Sequence, residues 1–201
     1  MSQQTTRMAP WGLIGEAKSY VKNIKNFEAS DWVRYISWIG TISGLFFGVS
    51  LFLLTGYLNG VEYPGYVWII PIGTGMFVLA LAIDDIGHRT MYKAYLAQGE
   101  GHVHQMIIVT AVTSVMALCL CYENPETMRM PAFSLICLSL FYSAIDEAMH
   151  WYRYLTKHFD RVEMWSHFVA IVGHVLMITA WWQWYDNGYK GVAETLKFLP
   201  F

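Results

Sequence analysis

Long apolar runs separated by short polar segments dominate the chain. Spanning a bilayer takes roughly 20 mostly apolar residues in a helix, and five runs come close to or exceed that length. These runs cover residues 34–57, 66–86, 104–121, 131–149 and 167–185. The pattern predicts an all-α integral membrane protein with five transmembrane helices.

The first 30 residues follow a different pattern from the remainder. From Pro10 to Phe27, apolar residues such as Leu13 and Ile14 are interspersed with lysines, among them Lys18. This spacing is typical of an amphipathic helix that lies on a membrane surface or packs on a partner. We therefore predict an N-terminal interfacial segment over residues 1–30 and a single transmembrane domain over residues 31–201.

Composition supports a membrane protein and excludes one class of partner. Of the 201 residues, 55% are hydrophobic and 14% are charged, whereas about 25% of a soluble protein is charged. The net charge of −2 argues against a general nucleic-acid binder, which needs a basic surface. The three cysteines lie within apolar runs, which predicts buried free thiols rather than disulfides.

The distribution of Lys and Arg predicts the orientation in the membrane. With five spans, the side of the N-terminus holds Arg7, Lys18, Lys22, Lys25, Arg34, Arg89, Lys93, Arg153, Lys157 and Arg161. The opposite side holds Arg129, Lys190 and Lys197. Because basic residues concentrate in cytoplasmic loops, we expect a cytoplasmic N-terminus and a C-terminus on the other side of the membrane.

An internal repeat contains many of the ionisable residues. Residues 82–92, AIDDIGHRTMY, align with residues 144–154, AIDEAMHWYRY, and with one extra residue the match continues to Glu-x-x-x-His at 100–104 and 163–167. Ionisable groups are costly in a membrane, so chance similarity among apolar residues does not account for this match. The repeat, 66–121 and 131–185, predicts two copies of one helical hairpin that form a four-helix bundle.

The repeated residues predict a metal site at the cytoplasmic end of the bundle, because residues three and four apart share a helix face. The pattern resembles the ferritin-like di-iron and di-manganese carboxylate proteins, in which two helices each supply Glu-x-x-His and two others each supply Glu. The candidate ligands are Asp85, His88, Glu100, His104, Glu147, His150, Glu163 and His167. Asp84, Asp146 and His174 are expected to support these ligands or to replace them.

This resemblance implies a dinuclear centre, with iron as the favoured metal. We expect a membrane metalloenzyme that uses oxygen to oxidise a lipid, a hydrocarbon or a quinol dissolved in the bilayer. Copper is an alternative, because Asp84-x-x-x-His88 resembles the Asp/His sites of membrane copper monooxygenases.

Other interpretations stay open. The ionisable residues could cap helices through salt bridges with Arg89, Lys93, Arg153 and Arg161. The chain could be a non-catalytic or haem b-binding electron-transfer subunit of a larger membrane complex, with His174 pairing with His88 or His150. It could also be a transporter that moves protons or cations along its carboxylates.

Overall fold

The computed structural model describes residues 12–91, 99–157 and 161–200, and their regular secondary structure is entirely helical. Short 3-10 helices cover Ile24–Asn26 and Gly65–Trp68. The α-helices of the described ranges are α1 Gly12–Asn23, α2 Ala29–Leu58, α3 Ile69–Arg89, α4 Glu100–Leu120, α5 Pro125–Lys157, α6 Arg161–Asp186 and α7 Val192–Leu196.

Five helical segments in the described chain are long and apolar enough to cross a membrane, as predicted. They are Ala29–Leu58, Gly65–Arg89, Glu100–Leu120, Pro125–Thr156 and Arg161–Asp186. Most of these helices extend several residues beyond the predicted apolar runs, because the polar residues that flank the runs are also helical. Large apolar side chains such as Leu51, Leu79 and Phe141 remain exposed on the outer faces, as expected for surfaces that lipid covers.

The helices of the bundle pair across the two copies of the repeat. α3 packs along α6 and α4 packs along α5, while α2 lies against α3. The principal partner of each helix is therefore in the other copy, rather than within its own predicted hairpin. In the sequence repeat, α3 corresponds to α5 and α4 corresponds to α6. The α3–α6 pair therefore corresponds to the α5–α4 pair, and both pairs join the same two elements of the repeat.

The α3–α6 pair makes a very close backbone approach. A Cβ atom added at Gly73 would lie 2.6 Å from the carbonyl oxygen of Gly173, and one added at Gly173 would lie 2.6 Å from that of Gly73. Small residues at a crossing let membrane helices approach closely. Beyond this crossing, towards the end of α6, the main apolar core includes Leu118, Met177 and Trp181.

The N-terminal helix α1 packs across the bundle end formed by α3 and α6. Tyr20 is buried there with Ile86 and Val162, and the carboxylate of Glu16 accepts a 2.8 Å hydrogen bond from the Arg161 guanidinium. One face of α1 is therefore directed towards the bundle, and its position at a membrane surface stays a prediction. Pro10 and Trp11 of the predicted segment lie outside the described residues.

Candidate metal centre

The polar residues of four helices meet at one end of the bundle. α3 and α5 end there, whereas α4 and α6 begin there, so the ionisable ends of both repeat copies converge. This convergence agrees with the sequence prediction that carboxylates and histidines gather at one end. Which side of the membrane this end faces stays a prediction.

Four histidines, one from each of these helices, form the middle of the cluster. They are His88 on α3, His104 on α4, His150 on α5 and His167 on α6, and a ligating nitrogen from each lies within 4.8 Å of all the others. Their ring centroids lie 3.4–6.2 Å apart. Imidazole nitrogens are common ligands of zinc, copper, iron and nickel, so this group could hold a metal ion.

Two aspartates connect the histidines across the helix pairs. Nε2 of His167 lies 2.9 Å from Oδ1 of Asp84, and Nε2 of His104 lies 2.9 Å from Oδ1 of Asp146, so a hydrogen bond joins each pair. Each aspartate also lies close to the histidine one turn later on its own helix, at 3.3 Å for His88 and 3.4 Å for His150. These contacts form two equivalent sets that the repeat relates to each other.

Two glutamates lie on the opposite edges of two histidine rings. Oε1 of Glu163 is 3.2 Å from Nδ1 of His150, and Oε1 of Glu100 is 3.9 Å from Nδ1 of His88. Metal-bound histidines commonly direct their second ring nitrogen at a carboxylate, which fixes the tautomer and the ring orientation. The glutamates are therefore placed to orient histidines.

A buried arginine joins the two glutamates. Arg153 on α5 contacts Glu100 at 2.5 Å and Glu163 at 3.0 Å. Among the described residues, the cluster contains four buried carboxylates, those of Asp84, Glu100, Asp146 and Glu163, and the guanidinium of Arg153. Carboxylate oxygens and imidazole nitrogens together form a donor set that suits a divalent metal ion.

Two of the predicted ligands lie outside this arrangement. Asp85 forms a 2.8 Å ion pair with Arg89, and Glu147 accepts a 2.7 Å hydrogen bond from the indole of Trp151. Asp84 and Asp146, which the sequence placed among the supporting residues, contact the histidines instead.

Helical spacing alone does not choose between these acidic neighbours. Positions three and four before a histidine both lie near its face, so Asp84 and Asp85 are equivalent by that criterion. Two signals in the sequence could have separated them. The first of the two acidic positions is aspartate in both copies, as Asp84 and Asp146. The second is aspartate in the first copy, as Asp85, and glutamate in the second copy, as Glu147. Arg89 also follows Asp85 by four residues, which favours an ion pair on the same helix.

His174 lies two turns further along α6, deep in the bundle. Its side chain is fully buried, with the ring centroid 5.2 Å from that of Phe77 and Nε2 3.5 Å from the Ser139 hydroxyl. His174 is not a member of the four-histidine group. Its surroundings are those of a buried structural histidine, and haem ligation by it stays a prediction.

A cavity of about 640 Å³ opens beside the cluster, between α2, α3 and α4. Asp84, His88 and His104 form part of its wall. The cluster is therefore buried without being closed to small molecules.

No protein-family model matches the chain, and no curated protein or solved structure matches it.

Proposed function

We propose that this chain is a membrane metalloenzyme that uses oxygen to oxidise an apolar substrate at a centre formed by His88, His104, His150 and His167. The observation that carries the proposal is the convergence of these four histidines, one from each helix, on a buried volume. The buried carboxylates beside them support a cation at this position, and the adjoining cavity supports access by a small molecule.

Asp84 and Asp146 complete the proposed donor set. Asp84 contacts histidines from two helices and Asp146 contacts histidines from three, so a carboxylate oxygen from either could coordinate an ion between the rings. Glu100 and Glu163 instead engage Arg153 and act as supports for the histidines. This assignment exchanges the roles that the sequence predicted for the aspartates and the glutamates.

The compactness of the donor set favours one ion over the predicted pair. The ions of dinuclear sites lie about 3.5–4 Å apart, and their ligands spread over a correspondingly larger volume. Four nitrogens within 4.8 Å of one another match the coordination sphere of a single ion. Metal stoichiometry separates these two alternatives.

Iron is the metal that we propose. Combined histidine and carboxylate donors are typical of non-haem iron sites, and copper is also bound by imidazole. Iron or copper in such a centre supplies oxygen activation, whereas zinc has no redox chemistry. Insertion of one oxygen atom into a C–H bond consumes O₂, two electrons and two protons and releases water, so an electron-donating partner is part of the proposal.

The protein side chains have three tasks in this function. Glu100 and Glu163 lie near Nδ1 of His88 and His150, on the ring edges opposite the Nε2 atoms that face the aspartates. Arg153 contacts both glutamates and so neutralises part of their carboxylate charge within the bundle. The apolar helices exclude bulk water from the centre, and exclusion of water strengthens the electrostatic interactions inside it.

Element-resolved metal analysis of the purified full-length protein tests the proposal. We expect about one iron per chain and an optical spectrum without the intense Soret band of haem. Replacing two ligands in His150→Ala/His167→Ala should remove the metal. His102→Ala is the matched control, because His102 is exposed on α4 only two residues from His104. Absence of retained metal, or zinc alone, would overturn the oxidative function.

The arrangement of the cluster also favours a second candidate, a proton or cation relay. Asp84 and Asp146 contact histidines of neighbouring helices, so the carboxylates and imidazoles form a connected chain of proton donors and acceptors. A relay predicts a protein that holds no metal tightly and that moves protons across liposomes in a pH-dependent manner. His104→Asn should abolish this flux, and His102→Asn should leave it unchanged.

A further inference from the structure

The cavity beside the cluster changes from polar to apolar along three helix faces. On α3 the lining residues are Leu81, Asp84 and His88, and on α4 they are His104, Ile107 and Ile108. Their spacing of three and four residues places each set on a single helix face. The two faces therefore lead from the metal-binding side chains to hydrocarbon-like walls.

The third wall belongs to α2, the span outside the repeat. Trp38, Ile39 and Ile42 line the cavity from this helix. α2 packs on α3 but is not among the extensive partners of α4 in the described chain. The cavity thus has its side opening between α2 and α4, where a membrane-spanning bundle would meet the lipid.

The charges at the rim are largely engaged with neighbours. Arg89 is paired with Asp85, and a carboxylate oxygen of Asp31 accepts a hydrogen bond from the backbone N–H of Glu28 as part of the helix cap. Arg34 is exposed at the same rim. Among the described lining residues, the apolar wall lies deeper in the bundle and the charged side chains lie at the rim, which favours an apolar chain as the occupant.

We propose that this cavity binds a saturated hydrocarbon chain that enters from the bilayer between α2 and α4. Its volume of about 640 Å³ lies within the roughly 300–1,000 Å³ of small-molecule sites. His104 has the most exposed side chain of the four histidines, at 26%, and it lies on the cavity wall. The role of the bound chain as substrate rests on the proposed function, whereas its binding does not.

Trp38 provides a local reporter for the occupant. Bromoalkanes quench indole fluorescence on contact, so the difference between wild type and Trp38→Phe isolates the signal of the cavity. With 1-bromododecane in detergent micelles, we expect this difference signal to be quenched to a plateau. Quenching that rises without saturation would show simple partitioning around the protein and would overturn the proposal.

Two conservative substitutions test the apolar wall. Ile42→Thr/Ile108→Thr keeps the branch at Cβ, removes the terminal methyl groups and adds hydroxyls, so the half-saturating concentration should rise about tenfold or more, as is usual when apolar contacts are lost in a pocket. Val109→Thr is the matched control, because Val109 is exposed on α4 outside the cavity lining. Equal effects of the two changes would contradict the assignment.

The source of the hydrocarbon chain is decided by a second probe. Phosphatidylcholine with brominated acyl chains, in nanodiscs, quenches the Trp38 signal if a lipid tail enters the cavity, and 1-bromododecane then competes with it. Quenching by bromododecane alone assigns the site to free hydrocarbons. Metal content is measured on the same samples. Saturable quenching in metal-free protein would support the hydrocarbon site and refute the metalloenzyme. Bound metal without saturable quenching would support the metalloenzyme and refute the hydrocarbon site.

Discussion

The two copies of the repeat form similar halves of the cluster with different surroundings. Each half supplies an aspartate, a glutamate and two histidines in equivalent contacts. The second copy adds Arg153, whose counterpart 62 positions earlier is Met91. The first copy instead contributes most of the cavity wall. The comparison indicates that the duplicated residues form the cluster, while the residues that differ between the copies change its charge and its access to the cavity.

Among the residues that differ between the halves, Arg153 is the one whose replacement should lower the free energy of unfolding the most. Arg153→Met leaves Glu100 and Glu163 buried without their shared guanidinium, and breaking a buried pair in this way costs about 3–5 kcal/mol. We expect a loss of this size in the free energy of unfolding, measured by denaturant titration in detergent.

The control for this prediction is Arg129→Met, since Arg129 forms an exposed 3.8 Å pair with Asp186 and such pairs contribute about 0–1 kcal/mol. Adding Glu100→Gln/Glu163→Gln to Arg153→Met should recover most of the stability. If the triple variant is as unstable as Arg153→Met, packing rather than charge explains the loss.

Substitution of the aspartates should lower metal affinity much more than substitution of the acidic residues next to them. Asp84→Asn/Asp146→Asn removes two carboxylates that contact histidines, and we expect metal affinity to fall at least about 100-fold, the upper range for supporting residues. Asp85→Asn/Glu147→Gln is the matched pair and should retain the metal. Metal competition with a chelator measures both, and equal losses would return Asp85 and Glu147 to the site.

The contrast between Asp84 and Asp85 also shows how far the sequence alone can predict this molecule. The spans are predictable because bilayer thickness sets the length of an apolar helix. The gathering of His88, His104, His150 and His167 is predictable because ionisable groups in a membrane need one another. These arguments concern which residues must be buried.

The helix pairing and the role of Arg153 were beyond that reasoning. Apolar periodicity does not identify which helix a face meets, so the α3–α6 and α4–α5 pairing emerges only in three dimensions. Arg153 was predicted as one of four possible salt-bridge partners, and its selection depends on the geometry between Glu100 and Glu163. The packing of α1 on α3 and α6 follows from side-chain fit in the same way.

The α3–α6 pair, which joins the two halves, depends on a close backbone approach. A methyl group at Gly73 would lie 2.6 Å from the Gly173 carbonyl oxygen and 2.7 Å from the Met177 nitrogen, which are backbone atoms that cannot rotate away. Gly73→Ala should therefore cost about 1–3 kcal/mol of unfolding free energy, as overpacking usually does. Gly44→Ala on α2, with open space around its Cβ, should be close to neutral, and an equal cost for both would rule out the crossing as the cause.

The smallest expected effect is a difference in metal affinity between a histidine on the cavity wall and an enclosed one. His104 has a 26% exposed side chain on the cavity wall, whereas His167 is 7% exposed and has its two ring nitrogens 2.9 Å from Asp84 and 3.2 Å from Asp146. In His104→Asn, water from the cavity can take the vacated position, so the loss of metal affinity should be the smaller of the two. In His167→Asn the position is enclosed and both aspartates lose a partner, so the loss should be about tenfold greater, which corresponds to about 1.4 kcal/mol. Chelator competition on both variants measures this ratio, and a ratio of one would mean that the cavity does not reach the histidines.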